Sequence, residues 1–116
     1  MLNFVSMQTV VQALSEPRRR EILRLVRSRE LAAGEIAAHF EVTRPTISQH
    51  LTLLKNAGLI TERRDGTRRL YRARPEGLAE LRSFLDGFWE DGLERLKAVA
   101  EQEQRKGRVA RAAKRN

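Results

Sequence analysis

Residues 43–60 read TRPTISQHLTLLKNAGLI, and this stretch decides how the rest of the chain is interpreted. Thr43 is a suitable helix N-cap, Pro45 is tolerated in a first helical turn, and Gly58 is a typical residue just after a helix end. Three large apolar residues between them recur at the spacing of one helical face: Ile47, Leu51 and Leu54. The stretch therefore predicts an amphipathic helix over residues 44–57 that buries this apolar stripe.

The opposite face of this helix is polar, and residues 42–54 contain no acid. Arginine suits the acceptors of guanine, glutamine suits adenine, and serine or threonine can contact base edges or phosphates. A solvated surface is the alternative, but such a face usually carries paired acids and bases. We therefore predict a DNA-reading helix that makes its contacts through Thr43, Arg44, Pro45, Thr46, Ser48, Gln49 and Thr52. His50 lies close to the apolar stripe, so we interpret it as a packed histidine, with base contact as the alternative.

Helical spacing of apolar residues also predicts three helices before this one. The first covers about residues 4–14, the second begins near Pro17 and extends to about residue 29, and the third covers residues 33–39. Only a short polar turn separates the third helix from the reading helix. These two helices therefore have the spacing of a helix-turn-helix.

Two extended runs follow the reading helix and flank Asp65-Gly66, a pair that tolerates the positive φ of a tight turn. They predict a β-hairpin over residues 61–73, and a hairpin directly after a helix-turn-helix is a wing. Leu70 and Tyr71 are expected to pack against the core. The predicted contacts to DNA phosphates or to the minor groove come from Arg63, Arg64, Arg68 and Arg69.

Pro75 opens a long predicted helix whose apolar residues keep a mostly helical rhythm as far as residue 99. Gly87 and Gly92 each cost about 1 kcal/mol relative to alanine inside a helix, so we expect a packing partner. Residues 105–116 are basic and nearly free of apolar side chains, which predicts a disordered tail beyond a domain of residues 1–104. The expected fold is mainly α, with about five helices and a small β-hairpin wing.

The charge of the chain is segregated along its length. The 116 residues carry a net charge of +8, with +4 in residues 61–75, −5 in residues 76–104 and +6 in residues 105–116. Segregation favours a positive face for a polyanion, although a general bias towards arginine is the alternative. Whether the tail adds non-specific DNA affinity or only solubility is open.

Composition also excludes several classes of protein. The chain has no cysteine, which excludes disulfides, thiolate nucleophiles and cysteine-based metal sites. No apolar run approaches the roughly 18 residues of a spanning helix, and the N-terminus lacks the features of a secretory signal, so we expect a cytoplasmic protein. Its two histidines lie on separate predicted helices and no glycine-rich phosphate loop is present. We therefore predict neither an enzyme nor a cofactor.

Residues 13–23, 44–60 and 66–71, in this order and spacing, resemble the ArsR/SmtB family of bacterial winged helix-turn-helix repressors. The resemblance covers about residues 10–100. It implies a homodimer in which the first and last helices pair, so that residues 1–104 bind DNA and dimerise. Each protomer would place one reading helix in successive major grooves of an inverted-repeat operator. The interface residues that it implies are Val10, Leu14, Leu81, Leu85, Phe88, Trp89 and Leu96.

Some members of this family sense metal ions, and their ligand positions can be located in this sequence. Their thiolate pair in the third helix would fall near Ala32 and Gly34, and neither side chain can bind a metal. Glu35 and His39 could supply two ligands from one helix face, but no third ligand is apparent. We therefore predict no metal site, and the chain resembles the metal-independent, cysteine-free branch. A small-molecule or protein effector at the dimer helices stays open, with Phe88 and Trp89 as candidate lining residues and core packing as the alternative.

The prediction from these observations is a sequence-specific transcriptional regulator, a homodimeric repressor by the family resemblance, whose partners are double-stranded DNA and a second copy of the chain. A DNA-binding domain by itself does not distinguish repression from activation. An architectural protein that coats DNA without strong sequence preference is the alternative. Such a protein would depend on the basic wing and tail rather than on the residues that face base edges.

Overall fold

A computed structural model describes residues 5–114, with side chains described from residue 5 to residue 107. The elements follow in the order α1 (Met7–Leu14), α2 (Pro17–Leu25), β1 (Leu31–Ala32), α3 (Ala33–Ala37), α4 (Arg44–Asn56), β2 (Ile60–Asp65), β3 (Arg68–Ala73), a 3-10 helix (Pro75–Leu78) and α5 (Ala79–Lys114). This order confirms the predicted fold class. The described chain divides into two compact units, one ending at Leu81 and one beginning at Arg82. Residue 4, where the predicted first helix begins, lies outside the described residues.

Side-chain caps fix where α2 and α4 begin. The Glu16 carboxylate accepts the backbone N–H of Arg19 at 3.1 Å. The Thr43 hydroxyl accepts the backbone N–H of Thr46 at 3.4 Å, which confirms Thr43 as the N-cap of the reading helix. Each cap satisfies one of the amides that a helix leaves without a partner in its first turn.

α2 ends at Leu25, earlier than the predicted end near residue 29, and the residue that follows it bonds to β3. The carbonyl of Val26 accepts the backbone N–H of Ala73 at 2.9 Å, so the sheet takes up an acceptor at the end of the helix. α3 likewise ends at Ala37 rather than at residue 39.

The sheet is antiparallel, with the strand order β1-β3-β2. β2 and β3 form the predicted hairpin, in register from Ile60 opposite Ala73 to Asp65 opposite Arg68. Gly66 in the turn has φ +64°, the left-handed conformation that glycine adopts without strain. β1 was not predicted, because a strand of two residues is too short to show an alternating pattern.

The core of the first unit joins the helix-turn-helix to the sheet. Its fully buried large side chains come from α2, α3 and α4, from the residue that follows α2 and from the residue that precedes β2, namely Ile22, Val26, Ile36, Ile47, Leu51, Leu54 and Leu59. Leu70 and Tyr71 are both buried, and Tyr71 belongs to the core cluster, which confirms that this wing residue packs against the core. Because one apolar cluster supports both the reading helix and the hairpin, the wing is held on the same framework as α4.

One residue of the predicted dimer interface, Val10, belongs to the core of its own unit. Val10 is 5% exposed, so its side chain is already covered within one chain. The pattern of α1 left this open, because Val10 and Val11 are adjacent in sequence and only packing distinguishes them. Val11 is the exposed one, at 49%.

The second unit consists of α5 from Arg82 onwards. Its aromatic side chains Phe84 and Phe88 contact each other edge to face, with ring centroids 5.1 Å apart. Large apolar side chains along this segment are between 44% and 67% exposed: Phe84, Leu85, Phe88, Trp89, Leu93, Leu96 and Val99. This is the largest group of exposed apolar side chains among the described residues.

The C-terminal residues differ from the expected disordered tail. α5 continues to Lys114, so residues 105–114 are helical, and residues 115–116 lie outside the described chain. This segment is rich in arginine, alanine and lysine, which favour helices, and basic residues near a C-terminus complement the helix dipole. α5 is long, yet within residues 5–114 no helix has the apolar stretch required to cross a membrane.

Candidate nucleic-acid interface

The outward face of α4 carries the residues that the sequence assigned to DNA. Burial of Ile47, Leu51 and Leu54 turns the polar side chains outward. Most of the assigned residues are exposed, namely Thr43, Arg44, Pro45, Ser48, Gln49 and Thr52. Thr46 is half-buried, and its hydroxyl lies 2.9 Å from that of Thr43. The Thr52 hydroxyl donates to the Ser48 carbonyl at 2.9 Å, so its oxygen can still accept from a base donor and its methyl group can contact an apolar base edge.

A groove of about 580 Å³ lies between the start of α4, the start of α3 and the wing. Arg44 and Ser48 line one side of it, and Arg68 and Arg69 line the other. The Arg44 guanidinium lies over Gly34, where an added Cβ would be 3.6 Å from its Nη2. The groove therefore brings arginines of the reading helix and of the wing to one concave surface that suits a phosphodiester backbone.

Two wing arginines are already paired with carboxylates of the helical part. Arg63 binds Glu30 through two nitrogens, with Nη2 2.8 Å and Nε 3.1 Å from Oε2. Arg68 Nη2 lies 2.6 Å from Oε1 of Glu35, which also accepts the backbone N–H of Ala32 at 3.0 Å. The paired Glu30 raises the pKa of Arg63. The Ala32 amide and then Arg68 lower the pKa of Glu35.

A third carboxylate joins the wing to the reading helix. Glu62 contacts Lys55 of α4 at 3.0 Å and Arg69 of β3 at 3.4 Å. Among the side chains that the structure describes, no carboxylate lies within ion-pairing distance of Arg64. Of the four predicted phosphate contacts in the wing, Arg64 is therefore the one whose guanidinium needs no exchange of partner to bind DNA.

A polar junction connects the reading helix to α1 and α2. Arg19 of α2 donates from Nε to the Ala13 carbonyl at 2.7 Å and from Nη2 to the Gln12 carbonyl at 3.1 Å. Its Nη1 lies 3.3 Å from Nδ1 of His50, whose side chain is 12% exposed. This burial confirms His50 as a packed histidine. The opposite ring nitrogen, Nε2, is 4.0 Å from the Glu16 carboxylate.

The two residues considered as metal ligands are otherwise engaged. His39 Nδ1 lies 3.0 Å from the carbonyl oxygen of Glu35, whereas the Glu35 carboxylate binds Arg68 and the Ala32 amide. Within the described part of the chain, acids and histidines form no cluster of three that could hold a metal ion.

Sequence reasoning missed Glu30, Glu62 and Arg19 as parts of this surface. Glu30 and Glu35 each lie 33 residues before the arginine that they bind, so no local pattern connects the partners. One feature of the sequence pointed to these acids. α4 itself has no acid, so any carboxylate that pairs with the arginines of this surface must come from a flanking element.

Known proteins share this architecture. A family profile described as bacterial regulatory protein, arsR family, matches residues 16–62. The HTH-type transcriptional regulator Rv2034 of Mycobacterium tuberculosis is 49% identical over 67% of this chain and 73% of its own length. The transcriptional repressor SdpR of Bacillus subtilis is 45% identical over 52% of this chain and 67% of its own length. A crystal structure of a possible transcriptional regulator for arsenical resistance, 48% identical, covers 75% of this chain and 91% of that one with a TM-score of 0.62. The chain therefore belongs to the arsR family of bacterial regulatory proteins, and it is a DNA-binding transcriptional regulator rather than an enzyme.

Proposed function

We propose that the protein is a homodimeric repressor that recognises an inverted-repeat operator in the bacterial cytoplasm. Residues 44–57 enter the major groove and residues 61–73 contact the adjacent backbone. The observation that carries this proposal is the acid-free, exposed polar face of α4 beside a groove lined by arginines of the wing. Two side chains on this face suit bidentate contacts with bases. Arg44 offers two donors, as guanine requires, and Gln49 offers a donor and an acceptor, as adenine requires.

The proposed dimer rests on the apolar surface of both units. The second unit exposes Leu85, Phe88, Trp89 and Leu96, and α1 of the first unit exposes Val11. A regulator that reads two half-sites needs two copies, and a helix with this much exposed apolar surface gains stability by pairing. Leu14 and Leu81 are half-buried against the core, so they contribute at the edge of such an interface.

An architectural role without sequence preference is the second candidate. It is favoured by the net charge of +8 and by the six basic residues after residue 104. Such a protein would bind through phosphates alone, so its affinity would depend on salt but not on the base-facing residues of α4.

Selection of genomic fragments by the purified protein at about 150 mM salt, followed by footprinting, tests the proposal. We expect a protected inverted repeat with half-site centres about 10–10.5 base pairs apart or a small multiple of this spacing. Gln49→Ala should lose the footprint, whereas Asn56→Ala, at the far end of the same helix, should keep it. Uniform recovery of fragments without a footprint would instead support the architectural role.

A further inference from the structure

We propose that Arg19 and His50 are positioning residues, which fix the reading helix α4 against the C-terminal end of α1 and so set its fit to the operator. The inference rests on the proposed function, because it assigns these two residues a role in the same DNA contact. Neither residue lies on the outward face of α4, and we expect neither to touch DNA.

Arg19 is placed to connect three helices. It belongs to α2, and its Nε and Nη2 donate to two carbonyls in the last turn of α1, those of Ala13 and Gln12. A cation at this end also complements the negative end of the α1 dipole. With those two bonds made, the planar guanidinium has little rotational freedom, and its Nη1 is directed at His50 of α4.

The same geometry assigns the tautomer of His50. Arg19 can only donate, so Nδ1 of His50 must be the unprotonated acceptor and the ring proton lies on Nε2. Nε2 is buried, has no hydrogen-bond partner among the described residues, and is 4.0 Å from Glu16. The junction therefore uses one atom of the imidazole, the Nδ1 acceptor. Within the described part of the chain Nε2 is buried without a hydrogen bond, so burial of this nitrogen does not favour a histidine at position 50. The contact with Arg19 is therefore the interaction that requires the imidazole.

Small errors in the orientation of α4 matter because hydrogen bonds to bases are directional. Side chains reach about 5–6 Å from a helix axis, so a rotation of about 10° displaces their tips by about 1 Å. His50 directly follows Gln49 on α4. A contact that fixes the rotation of α4 about its axis at His50 therefore also fixes it at Gln49. Loss of the junction should thus weaken operator binding more than binding to unrelated DNA, which depends on less directional phosphate contacts.

The test compares variants of the full chain in binding to the selected operator and to unrelated DNA, with thermal unfolding measured for each. His50→Leu keeps an apolar side chain of similar bulk but has no acceptor, whereas His50→Asn keeps an acceptor near the position of Nδ1. For loss of one hydrogen bond we expect His50→Leu to weaken operator binding about three- to tenfold, with unrelated DNA bound as before. His50→Asn should bind the operator within about twofold of wild type, by the same reasoning.

Arg20 provides a matched control for Arg19. It also donates to the end of α1, from Nη1 to the Leu14 carbonyl at 2.7 Å, but the structure gives it no hydrogen bond to α4. Arg19→Lys should reduce the preference for the operator, whereas Arg20→Lys should leave it unchanged at the same charge. Equal effects of these two variants, or equal operator affinities of His50→Leu and wild type, would overturn the proposal.

A further measurement separates this proposal from the proposed function. If wild-type protein selects no operator, sequence-specific recognition fails, and the junction is judged by the ¹⁵N chemical shifts of His50. An unprotonated Nδ1 at pH 8 would support the assigned contact, whereas an unprotonated Nε2 would refute it.

Discussion

The four wing arginines should not contribute equally to DNA binding, and Arg63 and Arg64 allow a direct comparison. Arg64 has no carboxylate partner among the described residues, whereas Glu30 holds Arg63 through two nitrogens. We expect Arg64→Gln to remove a phosphate contact and to make the negative slope of log K against log salt shallower by about 0.9. At 0.15 M salt, relative to 1 M, this change in slope corresponds to about a fivefold loss of affinity.

Arg63→Gln is the comparison variant, because it removes the same charge one residue earlier in β2. A phosphate must displace Glu30 before Arg63 can bind it, so we expect the slope to change by less than half as much as for Arg64→Gln. Glu30→Gln should have the opposite effect, because it releases Arg63 and makes the salt dependence steeper. Fluorescence anisotropy of a labelled duplex, titrated from about 50 to 300 mM salt, measures all three slopes.

Equal changes in slope for Arg63→Gln and Arg64→Gln would refute this reasoning, because the total charge would then determine the response. An unchanged slope for Glu30→Gln, in a variant that unfolds at the wild-type temperature, would also show that the ion pair does not restrain Arg63. Surface ion pairs typically contribute only about 0–1 kcal/mol to stability, so the variants should fold normally.

Three further predictions concern stability and assembly. Gly77→Ala should lower the free energy of unfolding in urea by about 1–3 kcal/mol, because the added Cβ would lie 2.1 Å from the Gly58 carbonyl oxygen. Gly87→Ala is the control: nothing lies within 4 Å of its added Cβ, so it should stabilise α5 by up to about 1 kcal/mol. Burial lowers the pKa of His50 below its ordinary 6.5, so the unfolded chain takes up the proton first and the free energy of unfolding should fall as the pH drops below about 6.5; a flat profile from pH 8 to 5 would contradict this. Trp89→Ser should shift sedimentation towards monomer, and an unchanged mass would remove Trp89 from the proposed interface.

The helix-turn-helix and the hairpin were predictable because their determinants are local. Thr43 caps α4 within one turn, and Gly66 supplies a positive φ inside a hairpin that the adjacent strands define. Burial was less predictable, because it depends on neighbours that are distant in sequence. Val10 and Val11 have the same side chain, but only the first faces the core of its unit. The helical continuation to Lys114 also differs from the expected tail, since low apolar content excludes a core but does not exclude a solvated helix.

Carboxylates from outside the hairpin lower the net charge of the wing surface. Residues 61–75 carry a net charge of +4 when counted along the chain. In space, Glu30 and Glu35 come to the same surface and reduce this to +2, since each carboxylate carries one negative charge. Fewer free cations mean weaker attraction to any phosphate backbone, whereas the base-facing side of α4 keeps its full set of donors and acceptors. The acids therefore weaken the phosphate attraction that an operator and unrelated DNA share, so in the same anisotropy titration Glu35→Gln should raise both affinities by a similar factor and leave their ratio unchanged.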